Sequence, residues 1–397
     1  MSEPSKITTE ETPKEKDTKA SSFGQTLLIP GLAVLTGLII GAIAIMATGE
    51  NVFTAYGALF GGSFGTPQQF ILGFQSFFAT GDTKELLMAI YPLTESLVAA
   101  TPYIFAALSV ALGFRCGLFN IGAEGQVLMG ALCSAYVGYS ITGLPAYIHL
   151  PLAILAGALG GAVWGMIPGY LKARFGAHEV VNTIMMNWIA FKLSDWLLNG
   201  PMKATGYRPV TPSIEATAAL PRFFPEPLRF NWGFVLALLV AWFVYWFLFK
   251  TTLRFEIRSV GANPDAAKYA GMNVTRNFVL VMAMAGALAG LAGSVQVLGV
   301  DHWVGQGFSS GYGFDSIALA LLGKSHPVGV VLAALLFGFL RSGATRMQSL
   351  AGIPIDIISI IQGLIVIFIA APAIIRWIYR IRAASTDDTV LTRGWGR

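Results

Sequence analysis

Asn120, Glu124 and Gln126 stand at the mouth of one apolar run, Asn182 and Asn187 sit with Trp188 on another, and Asp315 heads a third. Amides and carboxylates in such places donate and accept hydrogen bonds, and an indole adds a flat apolar face. That is the chemistry of holding and passing a polar solute rather than of breaking a bond. A buried polar group needs a partner, so a helix-to-helix hydrogen bond is the alternative for each of them. Lys192 and Asp195, three apart on one helix, read as an ion pair, and Gln296 and Gln362 add polar groups to further runs. His149, His178, His302 and His326 are scattered over different loops with no metal-ligand or triad spacing. Neither an enzyme nor a bound cofactor or metal is expected.

One motif imitates a nucleotide site. Ala318 to Ser325 ends in Gly323-Lys324-Ser325, the relaxed phosphate-loop pattern. A phosphate loop needs a preceding strand and a helix that begins at the Lys-Ser, whereas here an apolar helix precedes and His326-Pro327 follow. A turn at the membrane surface fits better, and ATP hydrolysis must come from another chain.

The elements that position these residues are membrane spans. The chain has 397 residues, of which 55% are hydrophobic and 12% charged, against about 25% charged in a soluble domain. Apolar runs, most of them of near-spanning length for about 30 Å of hydrocarbon, recur at 26–48, 93–113, 121–141, 149–171, 179–198, 232–249, 277–299, 313–323, 327–346 and 354–379. The fold class is therefore an all-α polytopic membrane protein with about ten spans. The run 313–323 rises only about 16 Å and must be a half-helix, and residues 115–126 are interrupted by glycine. Such broken segments lie in both halves. Residues 49–92, broken by glycine, Pro67 and Asp82 but rich in Phe, read as interfacial helices on the outer side. Gly157, Gly161, Gly165 and Gly169, like Gly286 and Gly290, recur every four residues, the stripe of close helix packing and a faint hint of internal duplication.

Residues 1–25 mix lysine with Glu and Asp and read as a disordered cytoplasmic tail, and 380–397 as a basic cytoplasmic tail. With both termini inside, Lys172, Arg174, the 254–277 cluster and the carboxyl tail all fall on the cytoplasmic side. The loop 199–231 then lies outside although it carries Lys203, Arg208, Arg222 and Arg229. The net charge of +5 is thus a matter of topology and argues against nucleic acid. Cys116 and Cys133 make neither a disulfide framework nor a metal site.

Between two spans, Asn263 can cap a short helix that starts at Pro264, carries Asp265 in its first turn and stops at Gly271. A helix this short does not persist alone in water, so its flanks or a docked protein must hold it. An ordinary solvated connector is the alternative. The run Gly261-Ala-Asn263-Pro264-Asp265-Ala266-Ala267-Lys268-Tyr-Ala-Gly271 resembles the coupling-helix loop of bacterial ABC-importer permeases, in the branch serving branched-chain amino acids, ribose-type sugars and nucleosides. The runs Gly117 to Gln126, His178 to Asn187 and Gly313 to Ala318 are similar to its nucleoside branch. They come in the family's order over about 90–375, and the first 90 residues match poorly.

The resemblance implies a permease subunit of the bacterial inner membrane, driven by a separate ATP-binding subunit. It also implies a second permease, identical or paralogous, and an extracytoplasmic substrate-binding protein. Glu124 with Asn120 would lie on the solute path, and the small Ala266, Ala267 and Ala270 would enter a cleft on the ATPase. The cargo would be a nucleoside, or a sugar or branched-chain amino acid carried by the same machinery. A secondary carrier shares broken helices but has no use for a capped docking helix.

Overall fold

The computed structural model describes residues 18–81 and 83–380. The chain runs through α1 (Thr18–Ala47), α2 (Val52–Phe64), α3 (Pro67–Thr80), α4 (Lys84–Arg115), α5 (Ala123–Ser140), α6 (Ala146–Phe175), α7 (Glu179–Asn199) and α8 (Gly233–Lys250). It continues through α9 (Leu253–Ala262), α10 (Pro264–Tyr269), α11 (Val274–Gln296), α12 (Tyr312–Leu322), α13 (Pro327–Ala351), α14 (Ile355–Ala370) and α15 (Pro372–Ile378). Each expected span falls on helix, but 354–379 is broken at Ala371 into α14 and α15, and 277–299 ends in a π-helical turn, Val297–Asp301. Pro30–Ala47 and the helices α4, α6, α8, α11 and α13 are long and apolar enough to cross a membrane. α5 and α7 have the length but carry the polar residues singled out above. α12, at 11 residues, is a half-helix. Most of the two expected tails, 1–17 and 381–397, lies outside the described residues. α1 begins at Thr18 rather than at 26, inside the stretch read as a tail.

Glycine sets the tightest packing. A Cβ at Gly161 would run into the Gly286 carbonyl, one at Gly290 into the Gly157 carbonyl, and one at Gly130 into Gly290. The two glycine stripes therefore face each other, and α5 joins the same seam. With no side chain between them, backbones approach closely and dispersion contacts replace the hydrophobic drive that lipid does not supply. The outer face of α6, with Leu155, Leu159, Val163 and Met166, is exposed. α4 is the opposite case, buried almost all round from Tyr103 to Gly113.

The expectation for 49–92 holds only in part. α3 carries a Thr66–Gln69 capping box and exposes Leu72, Phe74 and Phe78, as an interfacial helix does. α2 instead sinks against α13. Its Gly61, Gly62 and Ser63 make a small face, Arg346 donates to the Gly61 carbonyl at 3.1 Å, and Ser63 Oγ donates to the Phe339 carbonyl at 2.6 Å. Late carbonyls of α2 thus accept from protein instead of water, Gly61 and Gly62 from Arg346 and Ser342 of α13 and Ser63 from Ser96 of α4, which allows burial.

The cationic loop 199–231 folds over the ends of the glycine-packed helices. His149 Nδ1 and Thr217 Oγ1 lie 2.7 Å apart, and the Ile214 N–H donates to the His302 carbonyl. Two of its arginines are paired, Arg222 with Glu226 and Arg229 with Glu95.

Candidate functional site

The functional region is built around the break between α4 and α5. α4 closes at Arg115, and the chain reverses through Gly117, whose φ of 67° is left-handed and costs glycine little. Irregular backbone inside a membrane must be satisfied by protein. Asn187 on α7 does this: its Oδ1 accepts the Gly125 N–H at 2.8 Å and its Nδ2 donates to the Ile121 carbonyl at 2.9 Å. Asn120 and Gln126 close on each other, amide to amide, at 2.9 and 3.2 Å. All three are buried. Asn120, Gln126 and Asn187 therefore shape the break, and their hydrogen bonds run to the chain itself.

Glu124 takes the helix-to-helix alternative, with a partner far along the chain. It sits in the first turn of α5, yet its carboxylate accepts the N–H of Gly311 at 3.0 Å and that of Gly313 at 2.6 Å. It caps a different helix, α12, across the fold. Gly313 makes the approach possible, because a Cβ there would strike the Glu124 backbone. Two helix N-termini thus converge on one buried carboxylate, which both dipoles favour.

Asp315, in the first turn of α12, accepts a hydrogen bond from the Tyr103 hydroxyl at 2.9 Å. Arg341 on α13 donates to the same hydroxyl at 2.5 Å and stands 3.9 Å from the Asp315 carboxylate. Its guanidinium also lies over the Tyr103 and Tyr312 rings at 5.8 and 5.2 Å. Sequence reasoning missed Arg341, although a charge within an apolar span is itself a pointer to function.

A cavity of about 330 Å³ opens beside Glu124. Glu124, Ser194, Asp195, Ser309 and Ser310 supply its polar groups, and Leu128, Phe191 and Phe308 its apolar wall. The volume is at the small end of the roughly 300–1,000 Å³ usual for small-molecule sites. Trp188 is more than half exposed, packs edge-on against Phe191 and is not brought together with Asn187. Asn182 is half-buried, and its Nδ2 has no hydrogen-bond partner among the described residues. Lys192 and Asp195 are 4.0 Å apart on an exposed face, so the expected ion pair is present.

The capped loop forms as its sequence dictates. Asn263 Oδ1 accepts the N–H groups of Asp265 and Ala266 at 3.1 and 3.0 Å, Pro264 opens α10, and Gly271 has a φ of 82°. Asp265, Ala266, Lys268 and Gly271 are exposed. Two of the expected docking residues are not. Ala267 is only 3% exposed and packs in the chain's own core, so a charge placed there would disrupt the loop before it met any partner. Gly261 lies flat against Cys116 and Gly117, and a Cβ on either glycine would clash. Tyr269, the last residue of α10, is fully exposed. Nearby, burial and the charge of Arg115 hold His326 below the usual imidazole value, which leaves its ring neutral against Phe249.

A family profile described as "Branched-chain amino acid transport system / permease component" matches residues 93–370. The guanosine ABC transporter permease protein NupP of Bacillus subtilis is 40% identical over 357 residues, covering 89% of this chain and 95% of the relative. The nucleoside ABC transporter permease protein NupB of Lactococcus lactis is 34% identical, covering 88% and 92%. The glucose ABC transporter permease protein TsgB13 of Haloferax volcanii is also 34% identical, covering 86% of each. No solved structure matches. The polytopic helical fold, the broken half-helix and this match agree: the chain belongs to the family of branched-chain amino acid transport system permease components, which are not enzymes and rely on a separate ATPase subunit.

Proposed function

We propose that this chain lines the path of an ABC importer for nucleosides in a bacterial inner membrane, with both termini in the cytoplasm. The observation that carries the cargo is the cavity beside Glu124. The carboxylate and hydroxyl groups of its lining suit a ribose, and Phe191 and Phe308 suit a flat base. NupP and NupB point the same way by name. TsgB13 favours glucose as the second reading, but a sugar has less use for two phenyl rings.

The ATPase docks on α9, α10 and the turn to Gly271, with Tyr269 as its aromatic anchor. A substrate-binding protein meets the loop 199–231 on the opposite side, and a second permease completes the path. The test of cargo is uptake of labelled guanosine, uridine and glucose by cells with and without this chain. Loss of both nucleosides with glucose uptake intact is the expected result. Intact nucleoside uptake with loss of glucose transfers the assignment to the sugar.

A further inference from the structure

The break between α4 and α5 is flanked by two opposite charges, and both hold the same half-helix. Glu124, on one side of the break, takes the N–H groups of Gly311 and Gly313 at the start of α12. Arg115, on the other side, donates from Nε to the Ser325 carbonyl at 3.1 Å and from its terminal nitrogen to the Lys324 carbonyl at 3.5 Å. Those carbonyls belong to the turn that follows the C-terminal end of α12, where the Ser325 N–H reaches back to the Ala320 carbonyl. Carboxylate at the positive end and guanidinium at the negative end is the arrangement that a helix dipole favours at both termini. The turn at Lys324 and Ser325 is left-handed at two successive non-glycine residues, with φ of 51° and 50°, and Arg115 is a contact that holds it so.

The same bracket is in contact with the loop assigned to the ATPase. Gly261 on α9 lies against the backbone of Cys116 and Gly117, with no side chain between them. A second contact runs through Phe249. Arg115 and Arg254 both stand over its ring, at 5.9 and 5.4 Å, and Arg254 donates to its carbonyl at 2.8 Å. A displacement of α9 therefore meets rigid backbone at residues 116–117, and α12 is fixed to that backbone at both ends.

We propose that Arg115 and Glu124 are positioning residues that make α12 move as one body with the 115–124 bracket, so that the docking loop drives the half-helix bordering the cavity. This rests on the reading that an ATPase engages the 254–277 loop. Arg115 touches no cargo and acts only through α12.

The experiment uses the reconstituted full complex carrying Ser310→Cys, a position that borders the cavity. Labelling by a membrane-impermeant maleimide is measured with and without ATP, and the complex lacking that substitution gives the background from Cys116 and Cys133. With Arg115 present, ATP is expected to change the labelling rate about fivefold, the low end of ordinary coupling between sites. With Arg115→Ala the response is expected to vanish while ATP hydrolysis continues, and Arg115→Lys, which keeps one charged donor, restores part of it. A purely structural role would lower the yield of complex and leave the response per complex intact. An unchanged response in assembled Arg115→Ala overturns the inference. If that variant does not assemble, Arg115→Lys decides, and a full response there overturns it equally. No ATP response even with Arg115 present refutes the docking reading, and the inference falls with it.

Discussion

The seam of α5, α6 and α11 and the cluster of α4, α12 and α13 are both tightly packed, but by different chemistry. In the seam, Gly130, Gly157, Gly161, Gly286 and Gly290 let backbones touch, and nothing there can be exchanged for another partner without a gap. In the cluster, Tyr103, Asp315 and Arg341 tie the half-helix α12 to α4 and α13 by hydrogen bonds and charge. Such contacts can be remade with water or a second partner at modest cost, whereas a void in close packing has none to offer. The seam is built to stay as it is, and the cluster is built to rearrange.

The largest effect is expected where the seam is forced apart. Gly161→Leu places a branched side chain against the Gly286 carbonyl and Gly290, and overpacking of this kind costs about 1–3 kcal/mol or more. Assembled complex should be nearly lost, as measured by purified yield and thermal unfolding. A stable, active variant would end the description of the seam as rigid.

A smaller effect is expected in the cluster. Arg341→Met removes the cation beside Asp315 and Tyr103, and because the pair is partly exposed the stability cost should be about 1–2 kcal/mol. Uptake per assembled complex should nevertheless fall much further than stability does. Pairing it with Asp315→Asn should return most of the stability but not the uptake. If uptake follows abundance in both variants, the cluster is structural like the seam.

The smallest effect on stability is expected on the docking loop. Tyr269→Ala trims a fully exposed ring and should change unfolding by less than about 0.5 kcal/mol. Stimulated ATPase activity should still drop several-fold in the reconstituted complex. Undiminished stimulation would remove Tyr269 from the docking face.

Much of this was legible from local pattern. The order of the spans, the half-length of α12, the glycine stripes and the Asn263–Pro264–Gly271 loop each depend on residues a few positions apart, and periodicity and capping chemistry act over that range. The sequence by itself therefore determined which spans exist and roughly where they lie, but not that α4 begins at Lys84 or that 354–379 breaks into α14 and α15. It did not determine their partners. Glu124 was open to the path or to a helix-to-helix hydrogen bond, and it caps α12 nearly half the chain away, because no local rule chooses among the free helix ends of the molecule. Ala267 faces inward and Tyr269 outward because α10 rests on its own core, a matter of which face is covered rather than of propensity. Asn120 and Gln126 have each other as partners, and Arg341 has Asp315. Only the tertiary structure decided these pairings, since a buried polar group is satisfied by whatever donor or acceptor the fold brings within about 3 Å.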